Sequence, residues 1–282
     1  MTSAAELTAI AIEIAETAAD HARVRRGELF DDAGAPPRSS SVSTKSTPTD
    51  PVTVADTETE TLIRAALTRL RPDDTVLGEE DGGTLEVPEG VRWVVDPIDG
   101  TVNFLYGIPA YAVSVGAQVD GVSVAGAVVD VARRITYSAT RGGGAFRDDG
   151  SGPTPLRCTD VSSVALALVA TGFGYDEDRR RAQGTVIAEL LPQVRDLRRV
   201  GSAALDLCMV ASGSVDAHFE HGLNPWDWTA GALIAEEAGA VVTVPGPATR
   251  GSDGAVTMAV APGIATEFTA LLERIGALGS LP

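Results

Sequence analysis

The sequence predicts an α/β fold, a layered sandwich of helices and largely antiparallel sheets. Segments with one apolar helical face are mixed along the chain with short apolar or alternating runs of strand length, the pattern of stacked helix and sheet layers. Several strand-like runs follow one another directly, with Asp120-Gly121 between two of them as a hairpin signal, so they read as antiparallel. At 282 residues the chain fits one domain over 1–282, in two closely packed halves that meet near residue 150.

In order, Ser3 and Glu6 have capping-box spacing, and Leu7, Ile10, Ala11, Ile14, Ala18 and Ala22 follow on one helical face. Residues 31–51 turn to Pro, Ser, Thr and Gly, a stretch of roughly twenty residues that is long for a compact domain, with Arg38 and Lys45 as its cations. Thr53 or a neighbour is expected to cap the next helix, with Asp56 in its first turn, Leu62, Ile63, Ala66, Leu67 and Leu70 facing inward, and Pro72 beyond its end. Strands are predicted over 112–118, 122–131 and 135–139, with Gly142-Gly143-Gly144 as a turn, since it lacks the Lys and helix of a phosphate loop. A strand over 164–170, an exposed or interface helix over 176–191 carrying Arg179, Arg180 and Arg181, and an apolar helix that follows Gly201-Ser202-Ala203-Ala204 and runs through Val210 come next. A strand over 215–220, one near 257–261 and a helix over 264–275 complete the order.

The densest stretch is 93–107, WVVDPIDGTVNFLYG. Trp93, Val94 and Val95 read as a buried strand, and Pro97, unable to continue a ladder, is expected to end it at Asp96. Asp99-Gly100-Thr101 then starts a helical turn, which puts Asp96 and Asp99 at one rim beside the N–H groups of Gly100 and Thr101, where an anion such as phosphate is favoured. Paired carboxylates beside an anion site point to a metal ion bridging protein and phosphate. Two more acid-bearing ends support this: Leu77-Gly78-Glu79-Glu80 after a short apolar run, and Asp227 at the start of the apolar helical stretch 225–231.

Composition bounds the function. With 44% hydrophobic and 22% charged residues, and no apolar run long enough for a membrane span, the chain reads as an ordinary globular protein. No basic region followed by an apolar core opens it, so a cytoplasmic location is expected. A net charge of -17 argues against nucleic-acid binding, and divalent cations are what would let so acidic a chain hold a phosphorylated substrate. Cys158 and Cys208 are too few for a disulfide framework, and Cys208 reads as a buried thiol. The three histidines, His21, His218 and His221, lack the spacing of a zinc motif.

GEE, then DPIDGT, then WD-x-x-AG resemble the inositol monophosphatase family, in its bacterial SuhB-type branch, over about 4–272. The resemblance implies an αβαβα sandwich and a Mg²⁺-dependent, lithium-sensitive phosphomonoesterase that hydrolyses inositol-1-phosphate by in-line attack of a metal-activated water. Carried over residue by residue, Glu79, Asp96 and the Ile98 carbonyl hold one metal, and Asp96, Asp99 and Asp227 a second, within a set of two or three Mg²⁺ ions. Glu79 and Thr101 position the water, with Asp56 orienting Thr101. Gly100 and Thr101 hold the phosphate, while Gly201, Ser202, Ala203, Glu220 and Asp227 contact the substrate, a small phosphorylated polyol. Lys45 belongs to a mobile flap. A homodimer is implied too, with the Arg179–Arg181 helix near its interface. The chain departs from the family's small residues after the late acid: Trp228 and Thr229 stand there, which puts packing and the substrate rim in question.

A haloacid-dehalogenase-type mechanism fails because the residue two after Asp96 is Ile98 rather than an acid, and an EF-hand loop fails because Ile98 and Gly100 occupy ligand positions. The remaining rivals share the metal residues: phosphatases of histidinol phosphate, 3′-phosphoadenosine 5′-phosphate and fructose-1,6-bisphosphate. A non-enzymatic regulatory partner-binding protein is the alternative of another class.

Overall fold

The computed structural model describes residues 2–30, 42–44 and 51–282. Ser3 and Glu6 form the reciprocal cap of α1 (Ala4–Leu29), whose Leu7, Ala11, Ile14, Ala18 and Ala22 are buried. An antiparallel pair, β1 (Val42–Thr44) and β2 (Pro51–Thr53), leads to α2 (Val54–Leu70), capped by Thr53. Ile63 and Leu67 of α2 are buried, but Leu70, expected on the same face, lies exposed on its last turn.

Next come β3 (Thr75–Gly78), β4 (Val91–Asp99), the short α3 (Thr101–Tyr106), β5 (Ala112–Val119), β6 (Val122–Asp130), β7 (Ile135–Thr140), β8 (Gly144–Asp148) and β9 (Thr154–Pro155). Among the described residues β3 to β9 form one seven-stranded sheet in chain order, antiparallel except for β3 beside β4. Asp120 and Gly121 both take positive φ in the β5–β6 turn, as their pairing in the sequence predicts.

The second half contains β10 (Leu168–Thr171), α4 (Glu177–Leu190), β11 (Asp196–Arg198), α5 (Ala203–Ala211), β12 (Ala217–His221), α6 (Pro225–Glu237), β13 (Val241–Thr243), β14 (Val256–Val260) and α7 (Ala265–Arg274). Its sheet has the order β11-β10-β12-β14-β13, with β10 parallel to both neighbours and the other pairs antiparallel. The strand expected over 164–170 starts instead as a 3₁₀ turn, Val164–Leu166, before extending at Leu168.

Three apolar clusters define the layers. Leu7, Ile14 and Ile63 from α1 and α2 pack on Trp93, Val95 and Val113 of the large sheet; α5 and α6 fill the space between the sheets; α4 and α7 cover the outer face of the small sheet through Leu190 and Phe268. The result is the αβαβα sandwich. The strand period shows in β12, where Ala217 and Phe219 face α4 and α7 while His218 and Glu220 point the other way.

Pro97 does not end β4. The strand runs on to Asp99, with Asp96 opposite Ser114 and Asp99 opposite Ala112, so one extra residue is accommodated as a bulge where proline is tolerated. Residues three apart on a regular strand face opposite ways; the extra residue restores Asp96 and Asp99 to one side. On α4 the Arg179 side chain is turned inward, donating to the carbonyls of Gly251, Ser252 and Pro282, while Arg181 pairs with Glu177 on the same helix.

Helix α6 reaches its position because Gly116 and Gly126 oppose each other on β5 and β6 and leave a bare strip beneath it. A Cβ at Gly126 would lie 2.9 Å from Ala230 Cα, and one at Gly116 2.5 Å from Thr229 Cγ2. Gly126→Ala is therefore expected to destabilise the fold by about 1–3 kcal/mol, read from urea denaturation, because the obstacle is helix backbone rather than a flexible side-chain tip. An unchanged midpoint would show that α6 does not rest on that strip.

Candidate active site

The strand and helix ends that meet at the rim of the sheets build a cleft of about 710 Å³. Glu79 follows β3, Asp96 and Asp99 sit on the bulge of β4, Thr101 opens α3, Ser202 caps α5, Glu220 lies near the end of β12, and Asp227 occupies the first turn of α6. Gly100, between Asp99 and Thr101, has φ +93°, the left-handed conformation that glycine takes without strain. Gly201, Ala203 and Ile98 also line the cleft.

Oxygen atoms of Asp96, Asp99 and Asp227 come within 4.8 Å of one another. The Ser202 hydroxyl (2.6 Å) and the Ala204 N–H (2.7 Å) donate to Asp99 Oδ2, so the side chain of Ser202 is committed to Asp99 and to the helix cap. Asp227 accepts from the Asn224 N–H at 2.7 Å, and Asp96 from the Ile98 N–H at 3.0 Å. Burial pushes the Asp99 carboxyl from 3.8 up to about 6, against those two hydrogen bonds and with the charge of Glu79 adding to the rise. Asp227 is raised well above the carboxylate range by burial and by the charges of Glu79 and Asp99.

Three acids held together against their mutual repulsion, Asp96 and Asp99 buried and Asp227 half-buried at the cleft, all with oxygen donors, fit a hard divalent cation such as Mg²⁺. The pH dependence follows in sign. Because the folded Asp99 pKa lies above its unfolded value, the metal-free folded chain binds more protons than the unfolded chain between 3.8 and about 6, so its stability falls as pH rises through that window and stays lower above it. A cation needs the ionised carboxylates and cancels their repulsion. Mg²⁺ is therefore expected to raise the melting temperature more at about pH 7.5 than at about pH 5, in differential scanning calorimetry; an equal gain at both would contradict the assignment of these acids to a cation.

Beside the acids, the Thr101 hydroxyl lies 3.1 Å from Asp56 Oδ1 and 3.1 Å from the Ile98 carbonyl. Asp56 is fully buried, and its other oxygen accepts from the N–H (2.9 Å) and hydroxyl (2.5 Å) of Thr53. The cap of α2 thus fixes the carboxylate that faces Thr101.

Over residues 3–276 the chain matches the inositol monophosphatase family. The inositol-1-monophosphatase SuhB of Mycobacterium tuberculosis is 53% identical over 282 residues, 99% of this chain and 97% of that protein. This chain belongs to the inositol monophosphatase family. The solved structure of M. tuberculosis SuhB superposes with a TM-score of 0.83 at 49% identity, covering 99% of this chain and 100% of that one. A Nus factor SuhB of Pasteurella multocida is 39% identical over 194 residues, 68% of this chain and 71% of that protein.

In this family member the structure brings Glu79, Asp96, Ile98, Asp99, Gly100, Thr101, Gly201, Ser202, Ala203, Glu220 and Asp227 to one cleft, with Asp56 behind Thr101. Lys45, expected on the flap, lies outside the described residues. Trp228 does not reach the rim: it is buried in the cluster between the sheets, and Trp226 lines the cleft instead. Thr229 is buried as well, its hydroxyl donating to the Pro225 carbonyl at 2.6 Å.

Two positioning residues carry no sequence signal. Glu60 accepts from the N–H groups of Glu80 (2.7 Å) and Asp81 (3.0 Å), fixing the turn that presents Glu79. Asn103 donates to the carbonyls of Ala110 (2.7 Å) and Val200 (2.9 Å), tying α3 to the segment before Gly201. Both read in the sequence as ordinary polar helix residues. Among the described residues, no helix is long and apolar enough to cross a membrane.

Proposed function

We propose that the protein is a Mg²⁺-dependent inositol-1-monophosphatase, releasing inositol and phosphate. The observation that carries this is the convergence of Asp96, Asp99 and Asp227 beside the Thr101–Asp56 pair, in a cleft whose far wall offers Glu220 to a hydroxylated leaving group. The mycobacterial relatives named for this activity support the reading.

Asp96, Asp99, Asp227, Glu79 and the Ile98 carbonyl would hold the metal. When bound, Mg²⁺ supplies Lewis-acid stabilisation of the charge that develops on the transferring phosphoryl group. The Thr101 hydroxyl has one hydrogen for two acceptors. Given to Asp56, it leaves the oxygen's lone pairs facing the cleft, where they accept a hydrogen from the attacking water while Glu79 takes the proton. The N–H groups of Gly100 and Thr101, at the start of α3, hold the phosphate. Ser202 acts through Asp99, and Gly201 and Ala203 shape the wall against the ring.

A phosphate-release panel with and without Mg²⁺ tests this. Activity is expected only with Mg²⁺ and highest on inositol-1-phosphate, with inhibition by lithium. Faster turnover of histidinol phosphate, 3′-phosphoadenosine 5′-phosphate or fructose-1,6-bisphosphate at matched concentration would overturn the substrate. The active form is a homodimer on family grounds, with the Arg179–Arg181 helix near its interface, which light scattering checks.

A further inference from the structure

Behind the inner wall of the cleft is a second convergence of ligating groups. Asp206 on α5 and His218 and Glu220 on β12 place one donor atom each within 4.8 Å of one another. Asp206 is 1% exposed and His218 0%. Neither carboxylate oxygen of Asp206 and neither ring nitrogen of His218 has a hydrogen-bond partner among the described residues. Thr257, opposite Glu220 on β14, adds a fifth such atom, its hydroxyl oxygen. Buried polar groups in native proteins are almost always satisfied, so this concentration marks a place where something binds.

We propose that Asp206, His218 and Glu220 form a second, internal site for a divalent transition-metal cation, reached from the substrate cleft past Glu220. The distance from His218 Nδ1 to Asp206 Oδ2, 3.8 Å, is too long for a hydrogen bond yet shorter than two metal–ligand bonds of about 2.0–2.2 Å laid end to end. Carboxylates offer only lone pairs when ionised, and one buried water has only two hydrogens to share among them; a dication takes a lone pair from each ligand and balances both charges. The His218 ring is fully buried and neither nitrogen has a hydrogen-bond partner among the described residues, so the nitrogen without the proton can turn its lone pair to an ion. One imidazole and two carboxylates suit Zn²⁺, Co²⁺ or Mn²⁺, whereas the all-oxygen set across the cleft suits Mg²⁺. Glu220 lines the cleft, which gives an ion a route inward. An ion here would also fix the orientation of Glu220, a consequence that rests on the substrate role proposed above, whereas ion binding itself does not.

The test uses the full-length protein, stripped with chelator and returned to excess Mg²⁺, then titrated with Zn²⁺ or Co²⁺ alone. One tightly held equivalent is expected in the wild type and in Asp227→Asn. At least a tenfold loss of affinity is expected in His218→Gln and Asp206→Asn. Paramagnetically shifted imidazole proton resonances in the Co²⁺-loaded wild type would support the site without any variant, should His218→Gln fail to fold. Retention in His218→Gln together with loss in Asp227→Asn, or no retained ion and no shifted imidazole signal in the wild type, would overturn the proposal. Each outcome is read from metal content or spectra, so it stands apart from whether inositol-1-phosphate is the substrate.

Discussion

Thr101→Ala is expected to lower kcat by roughly 10²–10⁴, the range for a positioned acid–base or orienting group, while the Mg²⁺ requirement and phosphate affinity stay near those of the wild type. The reason is geometric. The substitution removes the hydroxyl that stands 3.1 Å from Asp56 Oδ1, and leaves the backbone N–H groups and every carboxylate in place. Thr101 is nearly buried at 8% exposure, so alanine leaves a small gap rather than a clash. Single-turnover phosphate release separates the effect on chemistry from product release. A kcat near the wild-type value would remove Thr101 and Asp56 from water orientation and leave Glu79 alone in that role. Asp56→Asn should share the defect, but with some loss of stability, because Asp56 also accepts both hydrogen bonds from Thr53 in the cap of α2.

Asp227→Asn is expected to raise the Mg²⁺ needed for half-maximal activity by at least about 10–100-fold, the loss seen even for outer partners of metal sites, with kcat partly recovered at saturating Mg²⁺. The asparagine oxygen can still accept from the Asn224 N–H, so α6 should keep its cap and the fold its melting behaviour in the absence of metal. What is lost is one negative charge from a trio whose oxygens lie within 4.8 Å. Asp227 is itself raised by burial and by the charges of Glu79 and Asp99, so asparagine also removes a carboxyl that must release its proton when the ion binds. Calorimetric Mg²⁺ titration checks both effects. An unchanged Mg²⁺ requirement would exclude Asp227 as a ligand.

Most of the element order was legible from local rules. The Ser3–Glu6 box, Thr53 as a cap, the Asp120-Gly121 turn and the apolar runs of β5 and β6 each follow from interactions a few residues apart, and these survive folding unchanged. Where local reading failed, tertiary packing had overruled it. Pro97 was expected to end a strand, yet the ladder to β5 absorbs it as a bulge, and that bulge is what aligns Asp96 with Asp99. Arg179 reads as one of three arginines on an exposed or interface helix, but carbonyls near residues 251 and 282 draw its side chain inward.

The acids at 79, 96, 99 and 227 stood out because each sits at the end of an apolar run and within motifs shared with a family, which is information of sequence and resemblance. Their distances, and the rise in the Asp99 and Asp227 pKa values, are not, since both depend on how four elements far apart in the chain close over one cleft. The grouping of His218 with Asp206 and Glu220 was invisible for the same reason: spacing along the chain offers no zinc-type pattern, and only the stacking of α5 on one face of β12 brings an aspartate over the two alternate residues of that strand. Local chemistry is written in neighbouring residues; ligand geometry and desolvation are properties of the packed layers.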